Sequence, residues 1–319
     1  GLVLDKSSND LTFNSDGGNS QTLNNAFTIA SGETLTIGSS ETLIIASGVT
    51  LENVGILINI GTFTTTGTLT NTGLVLDKSS NDLTFNSDGG TSQTLKGDFT
   101  IASGESLTIA SGQTLTIDSG VTLTNNGILT NNGTIANNGG TLTNKGKWDN
   151  PVVGIITNSS NIINDSLLTN YGSIENSDTF TNNNMLDHKY GATITNYKNF
   201  NNTKRVDVYG KLDNKINGGL VGLITNNNII EIKKSGTDLG ELNNYANITN
   251  DSLLLNQSTF KVFKTGTITN NQTITNNENF TNYGIINTNK MFLNAENAHF
   301  YNYNKFMNNT GGWYKNNGV

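Results

Sequence analysis

The sequence predicts an all-β protein, a parallel β-solenoid wound from short strand-and-corner steps of six to eight residues. Three observations carry this expectation. Residues Gly1–Gly18 recur verbatim at Gly73–Gly90, and residues 19–67 align with 91–139 without a gap, so the chain opens with two copies of a 72-residue unit. A shorter period runs inside each copy: Leu35, Leu43 and Leu51 lie eight apart, as do Leu107, Leu115 and Leu123, before Gly55, Gly61, Gly67 and Gly73 shorten the step to six. The composition is 34% hydrophobic and 13% charged, with 35 Gly and one Pro; roughly one residue in six is Asn and about one in seven Thr. Disordered chains of such low hydrophobicity usually add high charge and abundant Pro. Here both are missing, and evenly spaced apolar positions mark a thin, repetitive core.

Each element of the step has a physical reason. In L-T-I, alternation puts Leu and Ile on one face and Thr on the other, a three-residue strand with one buried side. Thr and Ile favour strands because branched side chains fit a pleated surface. The A-S-G or N-N-G that follows supplies a tight corner, since Gly and Asn tolerate positive φ. Strands this short without helical periodicity between them exclude βαβ units, and antiparallel sandwiches use longer strands. If three sides make one coil, a coil takes about 18–24 residues at these step lengths. Asn at recurring corners would form amide ladders from coil to coil. Residues 1–146 are therefore expected to be a regular solenoid of two repeats. Residues 147–319 keep the pattern in a more irregular form: all nine Tyr, both Trp (Trp148 and Trp313) and the lone Arg205 lie there. Short motifs recur at unequal offsets, such as G-K-W-D-N at 146–150 and G-K-L-D-N at 210–214, or V-G-I-I-T-N at 153–158 and V-G-L-I-T-N at 221–226. Coil lengths should therefore vary, with some corners expanded into loops.

The stretch S-L-T-I-A-S-G-Q-T-L-T-I-D-S-G-V-T-L-T-N-N-G-I-L-T-N-N-G-T-I at Ser106–Ile135 resembles Thr/Asn/Gly-rich β-solenoid surface proteins, the secreted adhesins and fibre proteins of bacteria and archaea. The resemblance covers nearly the whole chain. It implies an extracellular or cell-surface location and a structural or adhesive role, and it carries no catalytic residues across.

Composition narrows the chemistry. With no Cys there is no disulfide framework or thiol nucleophile, and two His (His188 and His299) leave little for a zinc site or a catalytic triad. A net charge of −7 argues against a nucleic-acid partner or a polybasic membrane surface. Apolar runs are too short for a membrane span. No catalytic residue and no obligatory cofactor is expected. The weak metal candidates are the repeated acidic turns holding Asp10, Asp16, Asp82 and Asp88, whose oxygens would suit calcium or would simply cap the turn. Carboxylates beside bases, Lys204-Arg205 with Asp207 and Asp187 with His188, are the sites a β-helix polysaccharide lyase or hydrolase would use. Thr34/Thr36 and Thr114/Thr116 raise ice binding, although Thr is the ordinary outward residue of a strand. Tyr171, Tyr197, Tyr245 and Tyr283 each follow Asn and would either contact glycans or a neighbouring subunit, or ladder along one corner. Sequons such as Asn132, Asn164 and Asn250 permit glycosylation at a frequency that chance alone gives in so Asn-rich a chain.

The ends complete the expectation. Gly1 opens in phase with the 72-residue unit, and Gly312–Asn316 resembles the motif at 146–150. A solenoid end without a cap presents unpaired backbone groups. Copies of the same protein would then meet head to tail through Gly1, Leu2, Trp313 and Tyr314; the competing account is that 1–319 is part of a longer array. The expected function is a structural subunit of an extracellular filament or matrix. The alternatives are an adhesive or stalk region that binds glycans, and the β-helix enzyme.

Overall fold

The computed structural model describes residues 1–318, and the chain divides into two compact units, Gly1–Leu142 and Thr143–Val319. Each is a parallel β-solenoid of mostly four-residue strands, about 15 turns in all.

The second unit shows the local rule most plainly. In Thr193–Asn196, Thr193 faces water while Ile194 and Asn196 are buried. The strand lies in parallel register between neighbours one coil away, with Ile174, Ile194 and Leu212 in one row and Asn176, Asn196 and Asn214 in the next. Three such sheets enclose the core. The first runs from Lys147–Asn150 to Trp313–Asn316, the second from Ile155–Asn158 to His299–Asn302, and the third from Asn161–Asn164 to Lys305–Asn308. Coils repeat every 18 or 20 residues, matching three sides per coil.

The Asn ladders are present and obey a fixed polarity. Asn158 Nδ2 donates to Asn176 Oδ1 (2.7 Å), Asn176 to Asn196 (2.7 Å), Asn196 to Asn214 (2.9 Å) and Asn214 to Asn244 (2.9 Å). Asn176 Nδ2 also donates to the carbonyls of Asp178 and Asn199, so one amide ties its own corner to the coil ahead. A buried amide without partners would cost about 1–3 kcal/mol; stacking identical amides one coil apart satisfies those inside a ladder. Where a ladder begins, the polarity leaves an oxygen over. Asn53 and Asn59 open ladders above Ile29 and Ile37, and their Oδ1 atoms have no hydrogen-bond partner. Aromatic residues stack in the same way inside the core, as in Phe180–Phe200 (5.2 Å) and Phe260–Phe280 (4.4 Å).

Two kinds of glycine make the corners, and only one fits the expectation of positive φ. Gly48, in the eight-residue steps, has φ +77°. Gly73, in the six-residue steps, does not need that freedom; a Cβ there would come within 2.2 Å of the Gly55 carbonyl oxygen on the previous coil. At Gly73 that carbonyl leaves no room for a side chain, whereas equivalent corners of the second unit carry Ser160, Ser166 and Asn184.

Irregularity in the second unit is confined to corners. Antiparallel hairpins at Ile216–Asn217/Leu220–Val221 and Lys234–Ser235/Asp238–Leu239 bulge outward, and the ladder closes across them with spacings of 24 and 30 residues. The recurring motifs do not mark one face. Lys147–Asn150 lies in the first sheet and Lys211–Asn214 in the second, because a four-residue step with apolar and Asn residues inward fits any side of the coil.

The first unit departs from simple stacking. Its opening core comprises Leu11, Leu35, Leu57 and Val75 among others, in rows given by the pairs Leu11↔Leu35, Leu35↔Leu57 and Leu57↔Val75. The Leu74–Ser79 strand then turns back on Asp82–Phe85 in antiparallel pairing, with Leu76 opposite Phe85 and Lys78 opposite Leu83. Leu83 continues the row Leu107, Leu129. Successive residues point to opposite faces of a strand, so Val75 serves the core before the hairpin, and Leu74 and Leu76 serve the one after it. The strand is buried on both sides, and the second repeat builds its core on the other face of the shared sheet. Only this sheet crosses the junction; Thr62–Thr65 and Thr68–Asn71 close the other two sheets of the first repeat.

Asn176→Ala removes four hydrogen bonds and takes from the buried Asn196 Oδ1 its ladder donor, and is expected to lower unfolding stability by about 2–4 kcal/mol. Asn184→Ala, at an exposed corner, should stay within about 0.5 kcal/mol. Chemical denaturation followed by circular dichroism compares the two.

Candidate functional site

The densest group of chemical side chains lies on the outward face of the first sheet in the second unit. Asp187, Asp207 and Glu231 occupy equivalent positions on consecutive coils. Parallel strands about 4.8 Å apart would leave three carboxylates repelling one another, and bases interleave with them. Arg205 Nε reaches Asp207 Oδ1 at 2.8 Å while its terminal nitrogen pairs with Glu231. Lys233 Nζ lies 2.8 Å from Asp207 and 3.5 Å from Glu231, and Lys189 pairs with Asp187 at 2.5 Å. Desolvation alone would lower the Lys233 pKa; the hydrogen bond to Asp207 and the charges of Asp207 and Glu231 outweigh it and raise the pKa. Of the residues singled out in sequence, Arg205 and Asp207 thus belong together. Glu231 and Lys233 were missed, because the hairpin-lengthened coil that brings them alongside has no outward sign in the local sequence.

At the adjoining corner, Tyr171, Lys189, Tyr190, Tyr209 and Ser235 line an open cleft of about 450 Å³. Lys189 and Lys233 lie 5.7 and 5.3 Å from the centre of the Tyr209 ring, within cation–π range. Tyr190 is 60% exposed. This cleft offers rings, ammonium groups and a hydroxyl, a set suited to stacking on and hydrogen-bonding a polyhydroxylated ligand.

The four sequence-predicted tyrosines do not form one row. Tyr197, Tyr245 and Tyr283 follow strands of the second sheet and share a corner, where Tyr245 stacks on Phe263 at 3.9 Å and Tyr283 on Tyr303 at 5.0 Å. Tyr171 follows a strand of the first sheet and belongs to the cleft.

His188 is separated from Asp187 by strand alternation: the carboxylate faces out, and the imidazole is buried in an Asn ladder. Its Nδ1 accepts from Asn170 Nδ2 (3.0 Å) and its Nε2–H donates to the Lys211 carbonyl (3.0 Å). Complete burial lowers its pKa to about 4, although the Lys211 carbonyl acts the other way. His188 is a ladder rung, and it does not share a surface with Asp187.

The acidic turns of the first unit are capped turns. Asn14 and Asn86 accept from the Asp16 and Asp88 amides at 2.8 Å and open single turns of 3-10 helix. Asp82 accepts from Ser106 Oγ, and Asp10 sits exposed at the start of its strand. Among the described residues, no group of three or more His, Asp or Glu side chains is placed to hold a metal ion. No described helix is long and apolar enough to cross a membrane. The Thr rows are short: Thr34 stands between Asp10 and Ile56, and Thr116 between Thr94 and Ala136.

At the start of the first unit, Gly1 and Leu2 line a cleft of about 330 Å³ with Leu4, Leu23, Ala26 and Phe27. In the last coil of the second unit, Trp313 is 74% exposed, and Tyr314 packs on Phe306 (5.1 Å) and Phe292 (5.8 Å). Partial burial raises the Tyr314 pKa.

No family model matches this chain, and neither a curated protein nor a solved structure is similar to it.

His188 generates a prediction with a definite sign. Its folded pKa lies below the unfolded value near 6.5, so the unfolded chain takes up the proton first and stability falls as pH drops from about 6.5 to about 4. At pH 4.5 this group should cost about 2–3 kcal/mol relative to pH 7.5. His188→Asn, which restores a ladder amide, should remove that share of the acid sensitivity; equal slopes of stability against pH in the two proteins would refute the assignment.

Proposed function

We propose that this chain is a structural protein, a subunit of an extracellular filament or matrix that assembles head to tail through the ends of its solenoid. The observation that carries the reading is the stacking of like coils in parallel register, with Asn176, Asn196 and Asn214 joined in one buried amide ladder. The repetitive Thr- and Asn-rich steps, like those of the surface proteins the sequence resembles, suit a load-bearing role, because each coil is held along its whole circumference by the next.

A second reading, an adhesive or stalk region of a cell-surface protein, is favoured by one specific feature, the cleft of Tyr171, Lys189, Tyr190 and Tyr209. In that reading the solenoid is the shaft and the cleft contacts glycans.

Purified protein is expected to form end-joined oligomers whose size rises with concentration in multi-angle light scattering, and thin fibres in negative-stain micrographs. A strictly monomeric species in both would reject the filament. Binding on a glycan array that Tyr190→Ala abolishes would instead support the shaft-and-cleft reading.

A further inference from the structure

The corner that follows the first sheet of the second unit carries an alternating column. Asn170, His188, Val208 and Ile232 end consecutive strands in one register row, so the residues after them, Tyr171, Lys189, Tyr209 and Lys233, stand above one another on four coils. Their backbones make equivalent bonds: the Lys189 N–H donates to the Asn170 carbonyl (2.8 Å), Tyr209 to His188 (2.7 Å) and Lys233 to Val208 (2.9 Å). Ring and ammonium therefore alternate. Lys189 and Lys233 flank Tyr209 from the two neighbouring coils, 5.7 and 5.3 Å from its centre. The column lies inside the stack, since Lys147–Asn150 pairs with the coil on one side and Leu253–Asn256 with the coil on the other.

Alternation changes what the rings can do. At the corner after the second sheet, aromatics fall on neighbouring coils and cover one another: Tyr245 stacks on Phe263 (3.9 Å) and Tyr283 on Tyr303 (5.0 Å). Here the interposed lysine holds Tyr171 and Tyr209 two coils, or about 10 Å, apart. Both rings border the open cleft of about 450 Å³, and Tyr190 adds a third from the flank. Ser235, in the hairpin that leaves the coil of Lys233, lines the cleft at its far end. Charge then narrows the ligand. Asp187, Asp207 and Glu231 sit two residues before Lys189, Tyr209 and Lys233 on the same strands. The three cations are paired with them: Lys189 with Asp187, and Arg205 and Lys233 each with Asp207 and Glu231. Three carboxylates against three cations leave no net charge to attract an anion. An ammonium in an ion pair still keeps further N–H donors for a hydroxyl oxygen.

We infer that this column binds an uncharged, extended β-1,4-linked oligosaccharide laid along the solenoid axis. One sugar ring packs its C–H face on Tyr171 and the next but one packs on Tyr209. A hydroxyl of the ring between them accepts from the Lys189 ammonium. The spacing of the two tyrosines is close to the length of two linked pyranose rings, and in a β-1,4-linked ribbon every second ring presents the same face. That repeat matches the order Tyr–Lys–Tyr. The inference rests on the reading of this cleft as a glycan contact, and adds the class of glycan and its direction.

Isothermal titration calorimetry with purified β-1,4-linked chains of glucose, xylose, mannose or N-acetylglucosamine tests it. At least one uncharged series should bind, with affinity rising at least tenfold from two rings to four. Tetramannuronate, the β-1,4-linked chain with a carboxylate on every ring, should bind at least tenfold more weakly than the best uncharged tetramer. Tyr171→Ala, at a site 43% exposed, should leave melting unchanged and weaken tetramer binding at least tenfold. Tyr283→Ala, in the stacked corner, should leave binding unchanged. If no glycan binds, charged or uncharged, this inference and the glycan reading fall together. Suppose instead that a glycan binds through Tyr190. If none of the uncharged series does so, if two rings bind as tightly as four, if tetramannuronate binds best, or if Tyr171→Ala binds as well as the wild type, the extended neutral chain is wrong and the glycan contact stands.

Discussion

An amide buried in an apolar coil must place two donors and an acceptor, and in this protein the ladder asparagines place them on the same amide one coil away and on the carbonyls of the corners. That requirement fixes much else. It demands parallel strands in exact register, since an offset of one residue would turn every Asn outward and every Thr inward. It demands that the chain return to the same point in each coil, which is why insertions leave through the corners as hairpins and re-enter where they left. It also gives the stack a direction, with an unused oxygen where a ladder starts, as at Asn53 and Asn59.

The apolar rows share this discipline with less force. Each inward Leu or Ile contributes about 1.5–3 kcal/mol by leaving water, but hydrophobic burial has no direction and would tolerate slippage. Amides supply the specificity that the thin core lacks. His188 illustrates the rule by exception: it takes a rung because its two ring nitrogens, one accepting and one donating, reproduce what Asn does there, provided the imidazole stays neutral.

Much of the fold was legible because the step is short and its chemistry is local. L-T-I and T-I-T-N specify which residues turn inward, and the period of six to eight leaves room for little besides a strand and a corner. The Asn ladders followed from the same spacing. What could not be read is what depends on long-range count or on a face. Glu231 meets Arg205 only because a hairpin stretches one coil, and Tyr171 parts from the other tyrosines because one sheet separates their corners. The six-residue glycines were legible as corners, but the reason lay in a carbonyl from the previous coil, which no local pattern displays. The reversal at Leu74–Phe85 was hidden for a related reason: the duplicated sequence is identical, and only its surroundings differ.

That reversal has a consequence for how the protein changes over time. The second 72-residue unit begins with its own hairpin and starts a fresh core on the far side of a single shared strand, so the shared sheet edge is its main tie to its predecessor. A tandem duplication in the gene can therefore add a complete unit without altering side chains already in place, and the loss of one can be tolerated in the same way. Length becomes a trait that recombination can adjust in whole increments, while selection on the packed interior is left undisturbed.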